Sequence, residues 1–405
     1  MLKLAINFIC KNEGHIVTRM LESARPIIDL VVAVDTGSSD NTIAVIEAFG
    51  KKYSIPTFVY TRPFDNFCNS RNHAMDSLRE VVPQLGWDPK DVWGFFMDCD
   101  EVLLLSQQFR KYTLDQDMYA ITLRGEEGTF VRQFLFHLSV KCWWEGPIHE
   151  VIIFDDPNVT QGFAEGLAVE FEPKGASWKG DLEAKFLNYT RLLTEYIDQG
   201  HSAFRWLYYT GESYTTTAEY CKSPARKKKW EGLAKAYYEK AEMVGAPTSE
   251  EKIVLQRRIG ENKVAMGEKW PGTQQIFLKA FGLDPRRAES MAQVVTHYMN
   301  AKRWELAYLF SLFSTRMYHG RNPFGQGVSQ TEDALYQWKM LLYHFICCQE
   351  SGRIEEAKSA SAELTRLTRM EPGSFTFKDL LYIRSNSAFY LSLRKWNPWA
   401  RKNLY

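Results

Sequence analysis

Long apolar runs are what this sequence most plainly lacks. No stretch approaches the roughly 18 apolar residues of a membrane span, so no membrane-spanning helix organises the chain. The apolar segment Met1 to Ile9 is short and lacks the basic, apolar, small-residue order of a secretory leader. Cysteine is scarce and scattered: Cys10, Cys68, Cys99, Cys142, Cys221, Cys347 and Cys348 are odd in number and show no C-x-x-C spacing. That pattern argues against both a disulfide framework and a zinc site, and a reducing cytoplasm is the expected setting. An excess of one charge is missing too. Lys+Arg number 50 against 49 Asp+Glu, so no broad field draws the chain to a polyanion.

What is present is an ordinary globular composition, 45% apolar and 24% charged over 405 residues, enough for two or three domains. The sharpest feature is Val92-Trp93-Gly94-Phe95-Phe96-Met97-Asp98-Cys99-Asp100-Glu101, an apolar run ending in three carboxylates. The run reads as a central strand of a covered sheet, and ligands of open α/β sheets gather at such strand ends. On an extended chain Asp98 and Asp100 point the same way and can share a cation, or divide a cation and a sugar hydroxyl between them. Upstream, Leu2 to Ile9 and Leu30 to Val34 read as strands, with helices over His15 to Ala24 and Ile43 to Phe49. This βαβα rhythm implies a parallel sheet. Asp35 then stands at the same strand edge as Asp98. Gly37-Ser38-Ser39 lacks the spacing of a dinucleotide or P-loop motif. A further strand, Thr57 to Tyr60, leads into a loop and a helix whose first turns carry Arg71, either a surface residue or a diphosphate contact.

Four elements in order, Asn12-Glu13, Val34-Asp35-Thr36-Gly37-Ser38-Ser39-Asp40-Asn41-Thr42, Phe67-x3-Arg71-Asn72-x-Ala74 and Met97-Asp98-Cys99-Asp100-Glu101, make roughly residues 1 to 153 resemble the family 2 glycosyltransferases of GT-A fold. Within that family, Trp144-Glu145-Gly146-Pro147-Ile148-His149-Glu150 is similar to an element of the lipopolysaccharide-core glucosyltransferases and the sublancin-type peptide S-glycosyltransferases. The resemblance implies inverting transfer of a sugar from a nucleoside diphosphate, with a UDP-glucose-like donor and Mn²⁺ or Mg²⁺ expected. It implies that Asp100 holds the metal, Asp98 reaches the ribose or the metal, and Asp35 accepts the nucleobase imide N–H. Asn12 and Glu13 would line the base pocket and Arg71 would steady the uridine or diphosphate. His149 is either a metal ligand, a diphosphate contact or a satisfied half-buried histidine. Glu150 is the expected base, with Glu101 and Glu145 as competitors. Where many relatives carry a metal-proximal histidine, this chain has Ala168 to Gly175 without one, and Lys174 is expected to touch phosphate directly.

After about Gly180, helical spacing replaces strand-like runs. Leu207-x2-Thr210-Gly211-x2-Tyr214 followed by Ala234-x3-Tyr238-x2-Ala241 approximates a tetratricopeptide pattern. Ile354-Glu355-Glu356-Ala357 and Trp304-x2-Ala307 repeat half of it. Such a helical array serves acceptor binding, self-association as a homodimer, or scaffolding. Lys222 to Trp230 packs five basic residues before an aromatic, either a solvated helix start or a phosphate grip. Trp206, Tyr208, Tyr209 and Tyr214 read as core rather than a sugar-stacking platform.

The expected architecture is therefore an α/β GT-A domain of mostly parallel sheet over 1-178, followed by an all-α repeat domain over 179-405. The expected function is an inverting, metal-dependent hexosyltransferase whose acceptor is a peptide, a saccharide or a modified nucleic acid. Two other readings stand beside it: transfer to hydroxymethylated pyrimidines in DNA, and a non-catalytic repeat scaffold with a vestigial sugar-nucleotide site.

Overall fold

In the computed structural model of the chain, residues 2-125, 128-172, 174, 175, 178, 180-321 and 331-370 are described, together with 375, 379, 380 and 383. Lys179, where the repeat domain is expected to start, lies outside the described residues, as does Pro173 in the segment before it.

The first half builds one eight-stranded sheet in the order β3-β2-β1-β4-β7-β6-β10-β5. Strands β1 (Lys3–Cys10), β2 (Leu30–Asp35), β3 (Thr57–Thr61) and β4 (Val92–Phe96) are parallel neighbours. Their interiors are continuous apolar runs because helices α1 (Val17–Ala24), α2 (Thr42–Tyr53) and α3 (Phe67–Gln84) cover the faces. β4 is central and every one of its residues is buried. β5 (Glu101–Leu105) crosses to the far edge, where it runs antiparallel to β10 (Gln161–Phe171). β6 (Met118–Gly125) and β7 (Gly128–His137) complete the sheet, and β8 (Cys142–Glu145) pairs with β9 (Val151–Phe154) in a separate ribbon.

Two asparagines fasten α3. Asn7 on β1 donates its side-chain amide to Val32 O and to Ala74 O, joining strand, strand and helix through one buried group. At the start of the helix, Asn66 accepts from the Asn69 N–H, a conventional N-cap.

The rest of the described chain is helical. α4 (Leu182–Asp198), α5 (Phe204–Tyr220), α6 (Pro224–Val244) and α7 (Ser249–Ala265) pack each on the next and belong to the same compact unit as the sheet, Met1–Gly267. Their close approach rests on small residues. At Gly211, a Cβ would stand 2.5 Å from the ring of Tyr238, and Ala234 and Ala241 beside that ring are wholly buried. These helical hairpins resemble tetratricopeptide repeats. α7 opens with a reciprocal Thr248–Glu251 capping box.

The second compact unit begins at Glu268 and holds α8 (Trp270–Leu283), α9 (Glu289–Asn300), α10 (Trp304–Tyr318), α11 (Met340–Glu350) and α12 (Ile354–Met370). Neighbours in sequence pack together here too, and α9 also touches α11, the stacking of an all-helical array. Ala307 and Ala357, singled out by spacing, are fully buried. Among the described residues no helix is long and apolar enough to cross a membrane.

The packing of β4 is testable at Gly94. A Cβ there would lie 2.4 Å from the fully buried ring of Phe136 and 3.1 Å from Leu78. Gly94→Ala is expected to lower stability by about 1–3 kcal/mol, the usual cost of overpacking, read as a lower urea midpoint. An unchanged midpoint contradicts this packing.

Candidate active site

The carboxylates after β4 do not lie on an extended strand. Residues 98–101 form a turn, closed by the Glu101 N–H donating to Asp98 O at 3.1 Å. The expectation that Asp98 and Asp100 point the same way is therefore corrected: the alternation of an extended chain does not survive a turn. Asp98 faces two arginines. Arg71 on α3 donates to its Oδ1 at 2.8 Å and to its Oδ2 at 3.1 Å, and Arg132 on β7 lies 3.6 Å from Oδ2. Burial acts to raise the Asp98 carboxyl, but the Arg71 and Arg132 guanidiniums outweigh it and hold the group below its usual range.

Asp100 faces the other way. Its Oδ2 lies 3.0 Å from where a Cβ on Gly175 would stand, and Glu13 Oε1 is 3.3 Å from the same point. Burial, then the charges of Asp98, Glu101 and Glu13, push the Asp100 carboxyl up to about 7. Glu101 is also pushed up to about 7, chiefly by burial. Its two oxygens are already engaged, one by Arg132 at 2.6 Å and one by the Asp98 N–H at 2.8 Å. It is tied into the turn rather than turned toward a nucleophile, which removes it as a competing base.

Arg71 also reaches Glu150, with Nε 3.4 Å from Oε1. Both side chains are mostly buried, 12% and 9% exposed, and the guanidinium lies over the Trp144 ring. Burial raises the Glu150 carboxyl, with Arg71 opposing. One guanidinium thus bridges the turn after β4 and the segment after β8, uniting three residues that are 27 and 52 positions apart in sequence.

The Trp144 to Glu150 segment is clamped on both sides. From α3, Asn72 accepts from the Trp144 N–H at 2.7 Å and donates to Trp144 O at 2.9 Å. From α5, Arg205 donates to His149 O at 2.9 and 3.2 Å. Gly146 has φ +98°, and a Cβ there would stand 2.2 Å from the Trp206 ring, so only glycine admits that tryptophan. His149 has φ +55°, uncommon for a residue with a Cβ, and its ring stacks on Tyr209 at 4.4 Å. Burial, then Arg205, drive its imidazole down to about 4, leaving it neutral. Trp206 and Tyr208 are buried, in accord with the core reading, whereas Tyr209 and Tyr214 are half-buried.

Nearer the first strands, Asp35 accepts the N–H groups of Gly37 and Ser38 at 3.0 and 2.9 Å and is 1% exposed. Asn12, at φ +57°, accepts from the Ser39 N–H at 2.8 Å. Glu13 caps the start of α1, its carbonyl accepting from Ile16 and Val17. Lys174 pairs with Glu172, which is also held by Arg19.

Three residues that spacing did not single out belong to this region. Arg132 is one. Lys185 on α4 lies 3.8 Å from the Trp178 ring, and its ammonium is lowered to about 8 by burial, with Asp100 acting in the opposite direction. Tyr189, one turn further, is raised to about 12 by burial and by Glu150, Asp98 and Asp100. They come from β7 and α4, whose position relative to β4 leaves no local trace in sequence. Glu145, on β8, stays half-buried.

The donor set around Asp100 suits a divalent cation such as Mg²⁺ or Mn²⁺: hard carboxylate oxygens with surplus negative charge, beside a space that any side chain at 175 would fill. Among the described residues, neither Asp100 nor His149 belongs to a group of three metal-binding side chains with closely spaced ligand atoms. On α6, the basic run is divided. Arg226 pairs with Glu183 at 3.2 Å, and Trp230 is buried against Tyr214 and donates to Glu183, not offered for stacking.

The shared guanidinium has an energetic consequence. Arg71→Met leaves Glu150 without its cation and Asp98 with only the more distant Arg132, and is expected to cost about 1–3 kcal/mol. The triple variant with Asp98→Asn and Glu150→Gln should recover most of that loss in urea unfolding. Equal instability of the single and triple variants contradicts the bridge.

Neither a family model nor a curated protein matches the chain. Among solved structures it is similar to S. aureus TarS 1-349 in complex with UDP, at 15% identity and TM-score 0.26, covering 78% of this chain and 93% of that one. It is also similar to YrrB, described as a TPR protein with an unusual peptide-binding site, at 14% identity and TM-score 0.26, covering 46% of this chain and 86% of that one. A third likeness is to pilF of Pseudomonas aeruginosa, at 12% identity and TM-score 0.28, covering 52% and 97%. These likenesses are too distant to bear on chemistry, which rests on the residues themselves.

Proposed function

We propose that the chain is an inverting glycosyltransferase that moves a hexose from a nucleoside diphosphate, UDP first among the candidates, to an acceptor hydroxyl or thiol. The observation that carries this reading is that Arg71 joins Asp98 and Glu150 while Asp100 turns apart toward Glu13 and Gly175. A base and a leaving-group side are thereby adjacent but separate, at the carboxyl edge of parallel strands where ligands of such sheets gather.

In this reading the acceptor oxygen or sulfur bonds to the sugar's anomeric carbon as the bond to diphosphate breaks. Glu150 takes the acceptor proton, and the electron pair leaves with the nucleoside diphosphate. Burial raises the affinity of Glu150 for a proton, while Arg71 keeps it ionised enough to accept one. Arg71, Arg132 and Lys185 supply positive charge near the departing diphosphate. A divalent cation held by Asp100 would add counter-charge to that leaving group. Asp35, Asn12 and Glu13 bound the nucleoside side, and Lys174 stands by for phosphate. His149 acts through position: its left-handed backbone and its carbonyl, held by Arg205, aim Glu150 at Arg71.

The DNA acceptor is less well supported, because the basic run spends Arg226 on an ion pair and Trp230 on packing. No observation favours the scaffold reading over catalysis.

The deciding experiment is nucleotide release from a panel of UDP- and GDP-sugars with Mn²⁺, with and without acceptors. Wild-type protein is expected to release UDP from at least one donor. Asp100→Ala should abolish release with the fold retained, and wild-type turnover in that variant overturns the assignment. Glu150→Gln should retain nucleotide binding and lose about 10²–10⁴-fold in transfer, the usual contribution of a general base. Silence across the panel in wild-type protein favours the scaffold.

A further inference from the structure

We propose, on the glycosyltransferase reading above, that one face of α4 sets the sugar specificity of the site, with the Tyr189 hydroxyl holding a hydroxyl of the transferred hexose. Lys185 and Tyr189 are four residues apart on α4, so they share a face and lie one turn, roughly 6 Å, apart along the axis.

Packing sets the two ends of that face against the two sides of the site. At one end the Lys185 ammonium lies 3.8 Å from the centre of the Trp178 ring. The Trp178 N–H donates to Gly175 O at 3.0 Å, and Gly175 is the residue whose missing side chain leaves space at Asp100. Lys185 therefore stands on the leaving-group side. At the other end Tyr189 meets Phe67 edge to face at 6.3 Å, and Phe67 precedes Arg71 by one turn of α3. Tyr189 and Phe67 also pack in one cluster with Ile148 and Val151, the residues that flank His149 and Glu150. Tyr189 therefore stands on the side of the base. A hexose joined to the diphosphate and turned toward the base passes along this face.

The tyrosine is fixed in place while its polar end is unspent. Phe67 packs on one side of the ring and Phe186, 5.5 Å away, on another. The residue is half-buried, and its hydroxyl makes no hydrogen bond among the described residues. Burial, then Glu150, Asp98 and Asp100, raise the phenol to about 12, so it keeps its proton. A neutral hydroxyl that both donates and accepts matches a sugar hydroxyl, which does the same. The diphosphate is better served by Lys185 and the arginines, whose charge strengthens each hydrogen bond to phosphate. The two residues thus divide the donor between them, the lysine reading charge and the tyrosine reading the sugar.

The test titrates the full chain, with Mn²⁺, in a calorimeter with UDP, UDP-glucose, UDP-N-acetylglucosamine, GDP and GDP-mannose. Tyr189→Phe keeps the ring and its packing. It is expected to weaken the sugar nucleotide that the wild type holds about 3–10-fold, the usual worth of one neutral hydrogen bond, and to leave the free nucleotide unchanged. Lys185→Met keeps the stem over Trp178 and should weaken nucleotide and sugar nucleotide alike, about 10–100-fold, with Lys185→Arg restoring much of the loss. Among monodeoxy forms of the same sugar nucleotide, one should bind wild type and Tyr189→Phe equally, because it lacks the tyrosine's partner. Three results overturn the assignment while leaving the transferase reading in place: unchanged sugar-nucleotide affinity in Tyr189→Phe, equal losses on free and sugar-bearing nucleotide, or a further loss in Tyr189→Phe with every monodeoxy donor. Wild-type protein that binds none of the five probes overturns both.

Discussion

The candidate active site depends on one buried cation. Arg71 is held by the helix that Asn7 pins to two strands, and from there it compensates Asp98 on one side and Glu150 on the other. In a poorly solvated setting neither carboxylate is tolerable alone, and the planar guanidinium can serve both because its donors diverge. Everything else in the region is arranged to keep that geometry: Asn72 braces the Trp144 backbone, Arg132 neutralises what Arg71 leaves, and Gly94 lets Phe136 pack under the strand that carries the turn.

The contrast between Asp98 and Asp100 follows from the same constraint. Two acids separated by one residue end in opposite electrostatic states because only one of them meets arginine. Asp98 is held ionised, whereas burial and the neighbouring carboxylates push Asp100 up to about 7. A site with one satisfied and one frustrated acid has a place where added positive charge is welcome, which fits a leaving-group side.

Much of the sheet was legible in sequence. Parallel strands covered on both faces read as uninterrupted apolar runs, so β1, β2, β3 and β4 fall where periodicity places them, within a residue or two. The pairing of Arg71, Asp98 and Glu150 was legible only as separate motifs. Their meeting is a property of topology, as is the arrival of Arg132 from an antiparallel neighbour and of Lys185 and Tyr189 from α4. The shared direction of Asp98 and Asp100 was misread because an extended strand was assumed to continue through a turn. Small residues at Gly211, Ala234 and Ala307 announced helix packing correctly, since close approach of helices demands them whatever the exact repeat length.

The carbonyl of His149 has a wider meaning. It is held by Arg205, a residue of the helical part, while Gly146 is kept bare by Trp206 from the same helix. The change from strand to helix is therefore not a seam along which the protein can be divided. Helix α5 behaves as a missing wall of the strand-built half, so a change in Arg205 or Trp206 reaches the backbone that carries Glu150.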